Sequence, residues 1–156
     1  MSGTLFVVAT PIGNLEDITL RALRVLHEAD IIAAEDTRRT SRLLAHHVIT
    51  TKTISFHQHN TRSRVPQLIA RLRAGASVAL VTDAGTPGVS DPGLELVNAC
   101  VAEGISVDPV PGASAPLAAA VAAGFSLTPF TLLGFPPTKS YDRTCWFRVS
   151  SSVEGT

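Results

Sequence analysis

Four stretches of the chain gather residue types that do chemistry. The first, Thr10-Pro11-Ile12-Gly13-Asn14-Leu15-Glu16-Asp17, follows an apolar run and ends in polar side chains. Its glycine lets a ligand come close to the backbone, and Asn14 and Asp17 supply polar ends; a plain turn is the other reading. The second, Val81-Thr82-Asp83-Ala84-Gly85-Thr86-Pro87-Gly88-Val89-Ser90-Asp91-Pro92-Gly93, packs three glycines and two prolines into one loop. Glycine removes bulk and proline stiffens the chain, so amides and carbonyls keep fixed directions that suit a nucleoside-like ligand. The third, Pro111-Gly112-Ala113-Ser114-Ala115, has the same design on a smaller scale. Its helix N-terminus could receive a carboxylate or a sugar hydroxyl. The fourth is Ala34-Glu35-Asp36-Thr37-Arg38-Arg39. Asp36 either caps a helix that starts at Thr37, or orients a substrate hydroxyl while Arg38 meets a phosphate.

Other chemistries lack their signatures. His57-Gln58-His59 on a strand would put two imidazoles on one face, but no HExxH or carboxylate pattern supplies a third ligand, so no metal is expected. Cys100 and Cys145 lie far apart without a CxxC, which excludes a disulfide scaffold and a cysteine-rich zinc site. There is no GxGxxG and no GxxxxGK[ST], which argues against a dinucleotide-binding Rossmann domain and a P-loop nucleotidase.

The elements that must position these stretches alternate. Apolar runs at Thr4 to Ala9, Ile31 to Ala34, Thr53 to Phe56, Ser77 to Val81 and Ser106 to Val110 predict five strands. Amphipathic segments at Thr19 to Glu28, Thr37 to His46 and Thr61 to Ala74 predict helices between them. Asp91 as cap and Pro92 in the first turn open another helix, ending near Gly104, and a helix of alanines follows Pro111 to Ala115. Strands apolar throughout suit burial on both faces. The expected fold is therefore α/β, a mostly parallel open sheet of about five strands with helices on both faces. In such sheets ligands sit beyond the carboxyl ends of strands, which is where the glycine- and proline-rich turns after strands one, four and five fall.

The 156 residues suit one domain, and 45% hydrophobic against 17% charged residues excludes intrinsic disorder. The longest apolar stretch, near Pro116 to Phe125, is shorter than the roughly 20 residues that span a bilayer, and no basic segment precedes the first apolar run. A cytoplasmic protein away from membranes is expected. The net charge is zero, yet Arg21 to Arg73 holds ten Lys and Arg against four Asp and Glu, while Ala76 to Pro137 holds no Lys or Arg and five acids. Either helices wear solvated charge, or a basic face for a polyanion adjoins a near-neutral small-molecule cleft.

Taken together, VATPIGNLEDIT, AEDTR, HQHNTRSRVPQLIARLRAG, VTDAGTPGVSDPG and PGASA, in that order and spacing, resemble the tetrapyrrole methylase family. The closest pattern is its bacterial branch that 2′-O-methylates a cytidine ribose of 16S ribosomal RNA, and the resemblance runs from about Thr4 to Arg143. It implies S-adenosylmethionine as methyl donor, held at the edge of a class III methyltransferase sheet. By analogy with the family's loops, the cofactor-binding positions are Pro11 and Gly13, then Asp83, Gly85, Thr86, Gly88 and Val89, then Ser114 and Ala115. Relatives often carry Asp where this chain has Thr86, so a contact there is by hydroxyl or backbone. Asp36 and Asp17 become candidates to take or orient the ribose proton. Arg38, Arg39, Arg42, Arg62 and Arg64 would hold RNA phosphates of the small ribosomal subunit, with the salt dependence such contacts carry.

Family members continue into a second α/β domain that completes the cofactor cleft and usually the dimer. Here GFPPTKSYDR still matches and the resemblance fades from Thr144. The expected organisation is a methyltransferase N-terminal domain over 1–137 and an irregular, truncated or frame-shifted tail over 138–156, binding the cofactor weakly and methylating poorly. The alternatives are a non-catalytic remnant that holds RNA or a partner, and a methylase of porphyrin-like rings; the basic stretch and HQHN argue against the latter.

Overall fold

The computed structural model describes residues 2–124 and 127–150. Five strands form one sheet: β1 (Thr4–Val8), β2 (Ile31–Ala34), β3 (Thr53–Ser55), β4 (Val78–Val81) and β5 (Ser106–Val110), in the spatial order β3-β2-β4-β1-β5. All four pairings are parallel, with Leu5 opposite both Val78 and Val107, and Ala33 opposite both Leu80 and Ile54. The expected α/β sheet is present, and its strand boundaries follow the apolar runs within one residue. Parallel strands buried on both faces explain why β2 and β4 are apolar at every position.

Side chains alternate across the sheet and sort into two cores. Leu5, Val7, Ile31, Ala33, Val78 and Leu80 pack under α3 (Thr61–Arg73) and α4 (Leu94–Ala102), through Leu68, Leu72, Leu96 and Cys100. Val8, Ile32, Ala34, Ala79 and Val81 pack under α1 (Leu20–Glu28) and α2 (Thr37–His46), through Ala22, Val25, Leu26 and Leu44. α1 starts where the Thr19 side chain accepts the Ala22 N–H at 3.1 Å. β5 carries Pro109, which the outer strand tolerates because its missing N–H breaks no ladder bond on the free side.

Two expectations change. α4 does not open at Asp91 and Pro92 but at Leu94, capped by Gly93 at φ 141°. A side chain cannot easily adopt that angle, and a Cβ there would stand 3.0 Å from Leu80 Cδ2. Gly93 therefore makes the turn, and Asp91 stays behind in the loop. His57 and His59 are not on a strand, because β3 ends at Ser55. The Asn60 side chain folds HQHN into a turn instead, accepting the His57 N–H at 2.9 Å and donating to the Ser55 carbonyl at 3.2 Å.

The chain forms two compact units, 1–114 and 115–156. The first contains the whole sheet and α1 to α4. The second contains α5 (Ala115–Ala122) and α6 (Ser140–Ser150). The stretch expected as an irregular tail from 138 thus holds an eleven-residue helix, and its last six residues lie outside those described. α6 buries none of its residues, so no apolar period announces it; Asp142 in its first turn and Arg148 in its last suit the helix dipole. Among the described residues no helix is long and apolar enough to cross a membrane.

Leu80 is fully buried, packed in the core under α3 and α4 and reaching the Gly93 turn. Leu80→Ala is expected to lower unfolding free energy by about 2–5 kcal/mol, read from urea denaturation.

Candidate active site

Because every strand runs the same way, all five strand-to-helix loops leave at one rim. β4, β1 and β5 are neighbours, so the three glycine- and proline-rich stretches stand side by side there. The chain leaves β1 for α1 on one face and β4 for α4 on the other. The two adjacent strands thus part at a topological switch point, where open α/β sheets hold ligands. The loops are tied across it. Thr10 and Gly85 exchange backbone hydrogen bonds of 2.9 and 3.0 Å, and the buried Thr10 hydroxyl donates to the Thr82 carbonyl at 3.1 Å.

Glycines in these loops serve two purposes. Gly85 sits at φ 83°, a turn that ordinary side chains resist. Gly13 is not in that region, and a Cβ there would meet nothing within 4 Å. The fold does not need a glycine at 13. Its bare backbone leaves room beside the loop, which fits a ligand that approaches the main chain. The Asn14 side chain accepts the Glu16 N–H at 3.1 Å and shapes the single 3-10 turn of Leu15–Asp17 that follows. Thr86 and Val89 close a tight turn, with the Val89 N–H donating to the Thr86 carbonyl at 3.2 Å. Ser114 closes the first compact unit, and Ala115 opens α5 of the second.

The β2 loop locks onto the β4 loop through carboxylates. Glu35 Oε2 accepts the Asp83 N–H at 3.1 Å, and Asp83 Oδ1 accepts the Asp36 N–H at 3.2 Å. Arg39 pairs with Asp83 Oδ2 at 3.3 Å. Burial pushes the Glu35 carboxyl up, and the charges of Asp83 and Asp91 add to that, against the Asp83 N–H bond and Arg39. Burial, then the Asp83 charge, raises Asp91 as well. Glu35 and Asp91 are not among the site residues expected from the sequence. The signal for Glu35 was its place at the end of an all-apolar strand.

Asp36 takes the capping role. Its Oδ1 accepts the Arg38 N–H at 2.9 Å and Nε at 3.1 Å, and its Oδ2 accepts from the guanidinium at 2.8 Å. These Arg38 bonds hold its carboxyl far below the usual carboxylate range. Asp17 lies exposed on the turn after β1. Cys100 is buried in the core, and burial pushes its thiol up to about 11, so it is no nucleophile. Among the described residues no group of three His, Cys, Asp or Glu is placed to hold a metal ion.

The five candidate arginines gather at the β3–β2 half of the same rim. Arg38 and Arg39 lie in the first turn of α2, Arg42 one turn on, and Arg62 and Arg64 in the first turn of α3. Neither first turn carries an acid. At α2 the Asp36 cap and Asp83 already pair with Arg38 and Arg39, whereas at α3 the cations oppose the helix dipole with no acid beside them, an arrangement that an incoming anion relieves.

The family of tetrapyrrole (corrin/porphyrin) methylases matches residues 4–145. The chain belongs to that family. A protein of Synechocystis sp. named ribosomal RNA small subunit methyltransferase I is 53% identical over 141 residues, covering 90% of this chain and 50% of that one. One of the same name from Halalkalibacterium halodurans is 52% identical, covering 90% of this chain and 49% of its own length. The chain thus spans about half the length of the curated relatives it matches. The crystal structure of uroporphyrin-III-C-methyltransferase from Thermus thermophilus superposes with a TM-score of 0.61 at 29% identity, over 80% of this chain and 53% of that one. Family and fold agree with the resemblance read in the loops.

The raised Glu35 carboxyl has a defined consequence for stability. Its folded pKa lies above its unfolded one, so the folded state holds the extra proton just above the ordinary value of 4.5. That contribution is present at lower pH and lost as pH rises through the folded pKa. Glu35→Gln keeps an acceptor for the Asp83 N–H and does not ionise. Urea melts at pH 4 and pH 7 are expected to show the parent losing stability relative to this variant on going to the higher pH.

Proposed function

We propose that this chain carries the cofactor and RNA sites of an S-adenosylmethionine-dependent methyltransferase that acts on the 2′-oxygen of a cytidine ribose in 16S ribosomal RNA of the small subunit, in the cytoplasm. The observation that supports it most is the division of one rim. Glycine-rich backbone loops occupy the β4-β1-β5 half, and arginines at two helix N-termini occupy the β3-β2 half. A methylase of porphyrin-like rings, the activity named for the Thermus neighbour, has less use for that cationic half.

S-adenosylmethionine supplies an electrophilic methyl group when bound, so the protein's task is alignment and charge. In this reading Pro11, Gly13, Asp83, Gly85, Thr86, Gly88, Val89, Ser114 and Ala115 hold the cofactor, mostly through backbone groups whose directions the Thr10–Gly85 exchange keeps fixed. Asp36 is a poor proton acceptor with three Arg38 donors on it, and its part is to cap α2 and aim Arg38. Asp17, exposed on the turn after β1, is a carboxylate that could orient the ribose hydroxyl. Arg38, Arg39, Arg42, Arg62 and Arg64 bind phosphates, and an exposed nucleotide in folded RNA suits this arrangement better than a duplex.

Two measurements test the reading. Gly13→Val adds bulk where the fold leaves open space, so calorimetry is expected to show about tenfold weaker S-adenosylmethionine binding at unchanged thermal stability; unchanged affinity counts against the cofactor site. Filter binding of a small-subunit RNA fragment is expected to weaken with salt, and Arg62→Gln to lower the log–log slope by about 1. Salt-independent RNA binding would refute the polyanion role.

A further inference from the structure

A cavity of about 410 Å³ lies at the junction of the two halves of the rim, between the β1 loop, the end of β4 and α2. Its volume falls within the roughly 300–1,000 Å³ of small-molecule sites. Besides three threonines, its walls are of three kinds. Pro11, Leu15 and Leu43 are apolar, Asp83 is a carboxylate, and Arg39 and Arg42 are cations. The three arginines of early α2 are not equivalent. Arg38 is engaged by Asp36 and Arg39 by Asp83, while Arg42 has no hydrogen-bond or ion-pair partner among the described residues.

We propose that this cavity is the acceptor subsite, receiving one unstacked nucleotide of the RNA with its phosphate on Arg42. The inference rests on the RNA methyltransferase reading and goes on to say where the acceptor sits. Charge separates acceptor from cofactor. S-adenosylmethionine carries a sulfonium and an ammonium against one carboxylate, so the unpaired Arg42 repels it, whereas a phosphodiester gains a charge-assisted contact from each of its N–H groups. The apolar wall of Pro11, Leu15 and Leu43 packs against the sugar or base, and Asp83 can accept from a ribose hydroxyl. Arg39 already holds Asp83, so the carboxylate that would meet the ribose is kept in place before the RNA arrives. The cavity opens at the same switch point as the glycine loops, which brings acceptor and donor within one crevice.

The test is calorimetry of the 156-residue chain with cytidine 5′-monophosphate, cytidine and S-adenosylmethionine, repeated on Arg42→Gln and Leu15→Trp. The monophosphate is expected to bind about tenfold more tightly than cytidine. Arg42→Gln removes that advantage, and Leu15→Trp, which fills the cavity and leaves its charge intact, weakens both nucleosides. Arg42→Gln leaves S-adenosylmethionine affinity unchanged. The proposal is overturned if the monophosphate binds no better than cytidine, if Arg42→Gln leaves the difference intact, or if Arg42→Gln weakens the cofactor as much as the monophosphate. Binding of the small-subunit RNA fragment is measured alongside. A chain that binds that RNA in a salt-dependent way and fails the monophosphate comparison loses this subsite and keeps the RNA reading. A chain that binds no RNA loses the broader reading itself.

Discussion

The pairing of β1 with β4 on one side and β5 on the other, both parallel, is the constraint from which the site follows. Sheet hydrogen bonds align the three strand ends, and so the three flexible-looking loops become neighbours on one edge. Without that pairing the glycines and prolines of residues 10–17, 81–93 and 111–115 would be unrelated turns. The backbone exchange between Thr10 and Gly85 extends the pairing one step past the strands and makes two of those loops a single structure. Burial supports the arrangement from below. Val78 and Leu80 face one core while Ala79 and Val81 face the other, so β4 cannot slip by one residue without inverting both.

Charge is organised on that frame by the same geometry. β2 and β3 stand at the other side of the sheet, and their helices begin at the same rim. Asp36 and Asp83 link the two halves, since each is held by the backbone or side chains of the other's loop. The carboxylates are thereby occupied in structure. The Arg38 bonds make Asp36 strongly acidic, whereas burial, with the Asp83 charge beside them, raises Glu35 and Asp91. Neighbouring residues 35 and 36 thus differ because alternate side chains at a strand end meet different surroundings.

Much of the architecture was legible from residue pattern. The strands and α1 to α3 are where apolar periodicity puts them, because each buries a continuous face. Each departure has its own cause. At α4, Asp91 and Pro92 form a plausible local start, yet the close approach of Leu80 leaves the turn to Gly93. At His57, the local reading extended a strand that the Asn60 side chain ends. At α6, a helix with no buried residue left no period to read.

The order of types along the chain determined that an α/β sheet forms, that stretches 10–17, 81–93 and 111–115 are rich in glycine and proline, and that cations concentrate between residues 21 and 73; those are local properties of bulk, polarity and spacing. Which loops meet, which of the early α2 arginines is left without an acid, and which carboxylates bridge the β2 and β4 loops were decided only by strand order and by distances of about 3 Å between residues up to 72 positions apart. Such contacts depend on the assembled sheet, and no local pattern encodes them.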